Sequence, residues 1–251
     1  MVTLSELQEK IERELKLRTF PVGVKLLRKA SEAPPDIQGV PNKATVCQLS
    51  TLARLHGLTC MAKPEDIACG RGAASLGFRK LDADKTLKED AYVHFVDEEA
   101  AKRALEQIFR LPPESYEAVI TGPLGDMPMK PDVVLIAGNS GQMLKIIEAA
   151  AWHDGERLTF SSLGVQGICG DAIAQSILSG KITVALPCWG ARRVGGYLDE
   201  ELVAAIPFKE VGRCLEGLVC LRKTGHPYPL PPQLVFPPPA PSHIKLRPGE
   251  P

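Results

Sequence analysis

The sequence lacks the features that mark a membrane-bound, secreted or nucleic-acid-binding protein. Its 30 lysine and arginine residues are balanced by 30 aspartate and glutamate residues, so no net charge attracts nucleic acid or an anionic membrane surface. No apolar run reaches the ~18 residues that span a membrane. The charged N-terminal segment lacks the apolar core of a signal peptide. We therefore expect a cytoplasmic protein with no nucleic-acid partner and no membrane partner.

The sequence also lacks the close cysteine pairs that make a metal site easy to assign. Its seven cysteines include no Cys-x-x-Cys motif, the spacing typical of zinc ribbons and ferredoxins. A disulfide framework is not expected in a reducing compartment, and the odd number of cysteines agrees with that. The spacing alone leaves open whether each cysteine is a ligand or a buried small apolar residue.

The order of apolar segments predicts an α/β fold in one large domain. The 251 residues are 44% hydrophobic and 24% charged, a composition that supports a full hydrophobic core. Predicted strands and helices alternate along the chain, which favours a mixed β-sheet with helices on its faces. Residues 131–138 (PDVVLIAG) and 181–186 (KITVAL) are expected in this sheet, and residues 92–96 and 157–163 are also predicted strands. The helix predicted over residues 98–110 carries its lysines and arginines on a solvated face.

The composition changes at residue 226. Ten of the 22 prolines lie in residues 226–251, and such a segment is extended and builds no core of its own. We therefore predict a core domain over residues 1–225 and a proline-rich C-terminal extension over residues 226–251. Three interpretations of the extension stay open: it packs on the domain, it joins two copies into a homo-oligomer, or it is disordered.

Residues 164–193 contain two cysteines at positions suited to ligand binding. Cys169 follows a glycine-rich turn and precedes a helical pattern of apolar residues, so its thiol is expected at a helix start. The helix dipole there favours the reactive thiolate. Cys188 follows the predicted strand 181–186, and sites in open α/β sheets collect at such strand ends.

Two further cysteines occupy similar positions in the first third of the chain. Cys47 lies in the first turn of the helix predicted over residues 44–57, and Cys69 opens the glycine-rich segment 69–74 (CGRGAA). A thiol, small residues and an arginine near a helix start suit an anionic group that approaches backbone N–H groups.

Four thiolates match the ligand set of a [4Fe–4S] cluster or of structural zinc. The predicted metal ligands are Cys47, Cys69, Cys169 and Cys188. The predicted cofactor-binding residues, whose charge offsets that of a thiolate-ligated cluster, are Arg71, Arg192 and Arg193. The cysteines expected to be dispensable for any cofactor are Cys60, Cys214 and Cys220.

Several motifs occur in the order found in a known family. They are VGVKLL, VCQLSTLAR, ACGRGAASLGF, KPDVVLIAG, ICGDAIAQ, PCWGARR and YLDEELVAAIPF. In these motifs the sequence resembles the uncharacterised family known as domain of unknown function 169, over nearly the whole chain before the proline-rich extension. The resemblance implies that the four predicted ligands are the family's motif cysteines, and it implies no activity. Family members often carry another cysteine where this chain has Ala191, so any role of that thiol is absent here.

Three functions are compatible with these observations. The first, which we expect, is a redox protein whose four cysteines hold a [4Fe–4S] cluster, with a redox partner protein or a small-molecule substrate as its partner. The second is a binding module that is metal-free or stabilised by zinc. Zinc is disfavoured because structural zinc usually takes its ligands as close pairs. The third is an enzyme with Cys169 as the nucleophile and His153 or His94 as the base.

Overall fold

A six-stranded β-sheet forms the centre of the fold in a computed structural model that describes residues 2–230. The strands lie side by side in the order β2-β3-β1-β4-β6-β5. Their bounds are β1 Val22–Leu27, β2 Cys60–Ala62, β3 Ala118–Pro123, β4 Val133–Gly138, β5 Thr183–Ala185 and β6 Leu202–Pro207. Neighbouring strands pair antiparallel, and isolated parallel bridges lie outside them.

Helices cover both faces of the sheet. They are α1 Leu4–Leu15, α2 Val46–His56, α3 Gly70–Ser75, α4 Ala83–Asp90, α5 Glu98–Gln107, α6 Ser140–Ala151, the π-helix Gly167–Ala174, α7 Gln175–Ser179, α8 Trp189–Arg193 and α9 Phe208–Lys223. The predicted α/β fold, one sheet with helices on its faces, is therefore confirmed, but the paired strands are antiparallel where a mixed sheet was expected. Both 131–138 and 181–186 contribute strands to the one sheet, as β4 and β5.

Alternate residues of the central strands face two separate cores, because successive side chains of a strand point to opposite faces. In β4, Val133 and Leu135 belong to the core shared with α2, α3 and the π-helix. Val134 and Ile136 belong to the core under α1, α6 and α9. Both faces of the strand are thus buried, which explains why its sequence is a continuous apolar run. Cys169 belongs to the first of these cores and Cys47 and Cys188 pack against it, while Cys69 precedes α3, whose Ala73 is also part of it.

The strand predicted over residues 92–96 is wrong. These residues form a turn between α4 and α5, and Tyr92 has a left-handed backbone with φ of 63°. The side chains of Tyr92, Val93 and Val96 are exposed, so no core lies behind the apolar residues to hold them in a sheet.

The strand predicted over residues 157–163 is also wrong. The segment is extended, but side chains take the place of a neighbouring strand. Gln175 accepts a hydrogen bond from the Ser161 amide and donates one to the Ser161 carbonyl, each 2.9 Å long. The Ser162 hydroxyl donates to the Asp171 carboxylate at 2.8 Å. These bonds satisfy the polar groups that a sheet would otherwise pair.

The described chain ends near the amino end of α6, where Asn139 Nδ2 donates a 2.8 Å hydrogen bond to the Tyr228 hydroxyl. Most of the predicted C-terminal extension, residues 231–251, lies outside the described residues, and so does its predicted role in a homo-oligomer. Among residues 2–230, no helix has both the length and the apolar character needed to cross a membrane.

Candidate metal centre

Cys47 is held in the first turn of α2 by a capping box. The Thr45 hydroxyl accepts a hydrogen bond from the Gln48 amide at 3.2 Å, and the Gln48 side chain accepts one from the Thr45 amide at 2.8 Å. This reciprocal pair fixes where the helix begins. The Cys47 sulfur lies 3.0 Å from the Thr45 hydroxyl and is half-buried.

Cys69 caps the amino end of α3. Its sulfur accepts a hydrogen bond from the Gly72 amide at 3.4 Å, which places the thiol over the first turn. The helix packs closely on α2, since a Cβ added to Gly72 would lie 3.1 Å from Val46 Cγ2. Val46 is the neighbour of Cys47, so the first two cysteines come from helices in direct contact.

Cys169 is the third residue of the π-helix and is only 9% exposed. Gln166 precedes the helix as its amino-terminal cap and has a left-handed backbone with φ of 55°. Single-turn departures from α-helical hydrogen bonding occur frequently at functional sites. At Gly167 the backbone lies directly against the segment that carries Cys188, because an added Cβ would be 2.9 Å from the Cys188 nitrogen.

Cys188 caps the amino end of α8, just after β5. The loop that follows α8 returns to α2, where a Cβ added to Gly195 would lie 2.9 Å from the Cys47 Cβ. Two buried interactions hold this loop on α2. Ser50 and Tyr197 share a 2.7 Å hydrogen bond, and Arg54 forms a 2.6 Å ion pair with Glu201.

A hydrogen bond between α3 and the π-helix closes the circuit of contacts. The Ser75 hydroxyl donates to Gln166 Oε1 at 2.7 Å, and both residues are buried. Each of the four cysteine-bearing segments therefore contacts the next, in the order α2, α3, π-helix, α8 and back to α2. The structure thus brings the four cysteine-bearing segments into contact, although they come from distant parts of the sequence.

The neighbouring thiols also affect the pKa values of Cys169 and Cys47. Burial raises the pKa of the Cys169 thiol well above its usual value, and the charges of Cys69, Cys188 and Cys47 raise it further. Burial also raises the pKa of Cys47, with further contributions from Cys188 and Cys69. The expectation that a helix start holds Cys169 as a thiolate is thus wrong for the metal-free chain, because burial and like charge outweigh the helix dipole.

The thiols do not form a ready site for one metal ion. Over the described residues, no group of three or more histidine, cysteine, aspartate or glutamate side chains is placed to hold a single ion. A zinc ion draws its sulfur ligands to about 2.3 Å from the metal. A [4Fe–4S] cluster is a larger body than one ion and is held by four cysteine thiolates.

The three predicted cofactor-binding arginines have other partners. Arg71 forms ion pairs with Glu89 at 3.1 Å and with Asp90 at 2.6 Å. Arg192 donates to the Leu198 carbonyl, and the Arg193 guanidinium lies 4.8 Å from the centre of the Trp189 ring. Among the described contacts, none of these guanidinium groups reaches a thiol, so their role with the cofactor stays a prediction.

Two residues near Cys169 were missed in the sequence. Arg110 was assigned to the solvated face of a helix, but α5 ends at Gln107 and Arg110 turns inward. Burial lowers its pKa, and the charge of Cys169 opposes that effect. Gln166 is 7% exposed and had no sequence signal of its own. The Pro112-Pro113 pair predicts that the helix ends near residue 110, and it gave no signal that the Arg110 donors are buried.

The remaining cysteines lie elsewhere. Cys60 is in β2, where its sulfur is 4.0 Å from the Thr121 hydroxyl. Cys214 and Cys220 are in α9, on the opposite face of the sheet. Burial raises the pKa of Cys214 to about 12, as for a thiol that serves only to fill the core.

Neither of the two predicted bases, both within residues 2–230, is placed at Cys169. His153 lies beside α9, with Nε2 3.3 Å from the Arg213 carbonyl and 3.8 Å from the Glu216 carboxylate. His94 is exposed and follows α4, where its amide donates to the Asp90 carbonyl. A nucleophilic role for Cys169 therefore lacks both an activating partner and a lowered pKa.

Because Cys169 is buried and its pKa is raised, we expect slow alkylation of this thiol in the folded metal-free protein. At pH 8 we expect iodoacetamide to label Cys169 at least ~10-fold more slowly than the half-buried Cys220, because only the thiolate reacts and burial hinders access. Time-resolved labelling with peptide mass spectrometry measures both rates, and in denaturant the two rates should converge. Faster labelling of Cys169 than of Cys220 would restore the nucleophile hypothesis.

The fold and the cysteine circuit define a class: an α/β protein with four cysteines gathered on one face of a central sheet. The chain belongs to the DUF169 family, described as Uncharacterised ArCR, whose profile matches residues 10–217. An uncharacterized protein of Methanocaldococcus jannaschii is 26% identical over 226 residues, which cover 88% of this chain and 97% of that protein. No solved structure matches the chain. These descriptions state no activity.

Proposed function

We propose that this protein binds a [4Fe–4S] cluster through Cys47, Cys69, Cys169 and Cys188 and acts as a redox protein. The observation that carries the proposal is the closed circuit of contacts that joins the four cysteine-bearing segments. Four cysteine thiolates are the usual ligand set of such a cluster, which supplies one-electron transfer when bound.

The electrostatics of the metal-free chain support a cationic partner for these thiols. Burial raises the pKa of the Cys169 and Cys47 thiols, and the charges of the neighbouring cysteines raise both further. Metal ions reverse this penalty, because they bind thiolates and drive the protons off. The close placement that disfavours free thiolates then allows several thiolates to bind one metal centre.

The location of the ligands favours a cluster over structural zinc. The cysteines come from four separate segments without a close pair, and the large core of the domain does not need a zinc ion to fold. Zinc-stabilised and metal-free binding modules are accordingly the alternative outcomes of the test.

The site lies near the protein surface, which suits exchange of electrons. Cys47, Cys69 and Cys188 are half-buried, and Trp189 next to Cys188 is 60% exposed. A redox partner protein or a small-molecule substrate can approach that side, while buried Cys169 faces the core. This arrangement allows either electron transfer to a protein or reduction of a small molecule.

Metal analysis of the protein purified without oxygen tests the proposal. We expect about four iron and four sulfide per chain and an absorption band near ~400 nm that bleaches with dithionite, as for a [4Fe–4S] cluster. A colourless protein with stoichiometric zinc would favour the zinc-stabilised module. A protein that stays metal-free after reconstitution with iron and sulfide would overturn the proposal.

A further inference from the structure

We infer that Arg110 and Gln166 donate hydrogen bonds to sulfur at the Cys169 corner of the cluster and thereby raise its reduction potential. The inference rests on the proposed function. In this role the two residues would stabilise the negative charge of the cluster, whereas the cysteines bind its iron.

Arg110 has buried donors without a partner. Its Nε and Nη2 atoms are inaccessible to solvent, and neither has a hydrogen-bond partner among the described residues. A guanidinium is always charged, and burying its donors unpaired is costly. Native proteins seldom leave such groups unsatisfied, so a missing acceptor is expected beside them.

The chain around Arg110 is built to hold it against the π-helix. Ile108 and Leu111 are both buried on either side of it. The Leu111 amide donates to the Ser75 carbonyl at 3.0 Å. The Phe109 carbonyl lies 3.5 Å from where a Cβ on Gly170 would be. Arg110 is thus fixed between the end of α3 and the residue that follows Cys169.

Gln166 supplies a third unpaired donor at the same place. Its Oε1 accepts the hydrogen bond from Ser75, which leaves its Nε2 group as the free end. Nε2 is buried and has no partner within residues 2–230. The Gln166 carbonyl lies 3.9 Å from the Cys169 sulfur, so the residue borders the thiol directly.

Buried, unpartnered donors from two residues near one cysteine call for an acceptor that belongs to the site. Solvent does not reach these atoms, which argues against a freely exchanging ligand. A thiolate or an inorganic sulfide of the cluster is such an acceptor. When an external reductant gives the cluster one electron, its negative charge rises by one unit and no bond or proton need change. N–H donors and a guanidinium stabilise the more negative form, so they raise the potential.

The test is a redox titration of iron-loaded variants, followed by electron paramagnetic resonance and absorption. We expect Arg110→Met to retain iron and to show a more negative midpoint potential than the unaltered protein. Arg110→Lys, which keeps the charge, should shift it less. Gln166→Met should also shift it to more negative values. The control is Arg103→Gln in α5, where the Arg103 guanidinium is exposed and 3.4 Å from Glu99. This variant should leave the potential unchanged.

The outcomes separate this inference from the proposed function. If the unaltered protein holds no cluster, the proposed function fails and the inference with it. If the variants load iron normally and keep the potential of the unaltered protein, the cluster stands and the inference is overturned. Should Arg110→Met fold poorly, the titrations of Arg110→Lys and Gln166→Met give the decision.

Discussion

Replacing any one of Cys47, Cys69, Cys169 or Cys188 with alanine is expected to remove nearly all iron from the protein. A [4Fe–4S] cluster is held by a full set of thiolates, so we expect each single change to reduce iron content to about a tenth or less of the original. Iron and sulfide analysis after anaerobic purification, with the ~400 nm absorption as a second readout, measures the loss.

The chain offers matched controls for this series. Alanine replacements of the three cysteines outside the circuit, Cys60, Cys214 and Cys220, should leave iron content unchanged. They should lower the free energy of unfolding by ~1–3 kcal/mol at most where the thiol is buried. Loss of iron from the Cys60 variant would show that the ligand set is wrong. Retention of iron by one variant of the circuit would instead indicate a cluster with one open iron.

Gly167→Ala is expected to destabilise the protein and to disturb the site at once. The added Cβ would overlap the Leu186 carbonyl and lie 2.9 Å from the Cys188 nitrogen. Both obstacles are backbone atoms, so the π-helix and the end of β5 would have to move apart. We expect the free energy of unfolding to fall by roughly 3 kcal/mol or more. Urea denaturation of the metal-free protein measures this change.

Gly190→Ala is the matched control for that substitution. Gly190 lies in α8, two residues after Cys188, and an added Cβ would meet nothing within 4 Å. In a helix this replacement should be neutral or should stabilise by up to ~1 kcal/mol. Iron loading should then be impaired only in the Gly167 variant. Equal stability of the two variants would show that the π-helix does not need its close approach to Cys188.

The central strands were predictable because local pattern and burial agree. β1, β3, β4 and β5 are short apolar runs, and each is buried in the sheet. The run at residues 92–96 has a similar composition but lies on the surface, and the sequence holds no local signal for that difference. The strand prediction for residues 157–163 is wrong for another reason. The Gln175 side chain bonds to the Ser161 backbone where a partner strand would pair. Such a partner is invisible in a pattern of apolar residues.

The candidate site was predictable in its cysteines and not in its polar surroundings. Small residues mark the close approaches near Cys69 and Cys169, and the glycines at positions 72, 167 and 195 all lie against a neighbouring cysteine-bearing segment. Arg110 packs near Cys169 only through tertiary structure, and Gln166, three residues before Cys169, has its side chain fixed by Ser75 from another helix. The predicted partners Arg71, Arg192 and Arg193 are engaged elsewhere, because acidic, aromatic and backbone groups near each of them compete for the guanidinium.

The order of strands in the sheet bears on how the protein is made. β1, β2 and β3 come from the first half of the chain and β4, β5 and β6 from the second, and within the described sheet the halves meet at β1 and β4 over three residue pairs. The flanking pairings β1–β3 and β4–β6 each extend over six. Cys47 and Cys69 therefore leave the ribosome on a half that has yet to meet the one carrying Cys169 and Cys188. A cluster bound as we propose, through all four thiols, would therefore be acquired only after synthesis has passed Cys188.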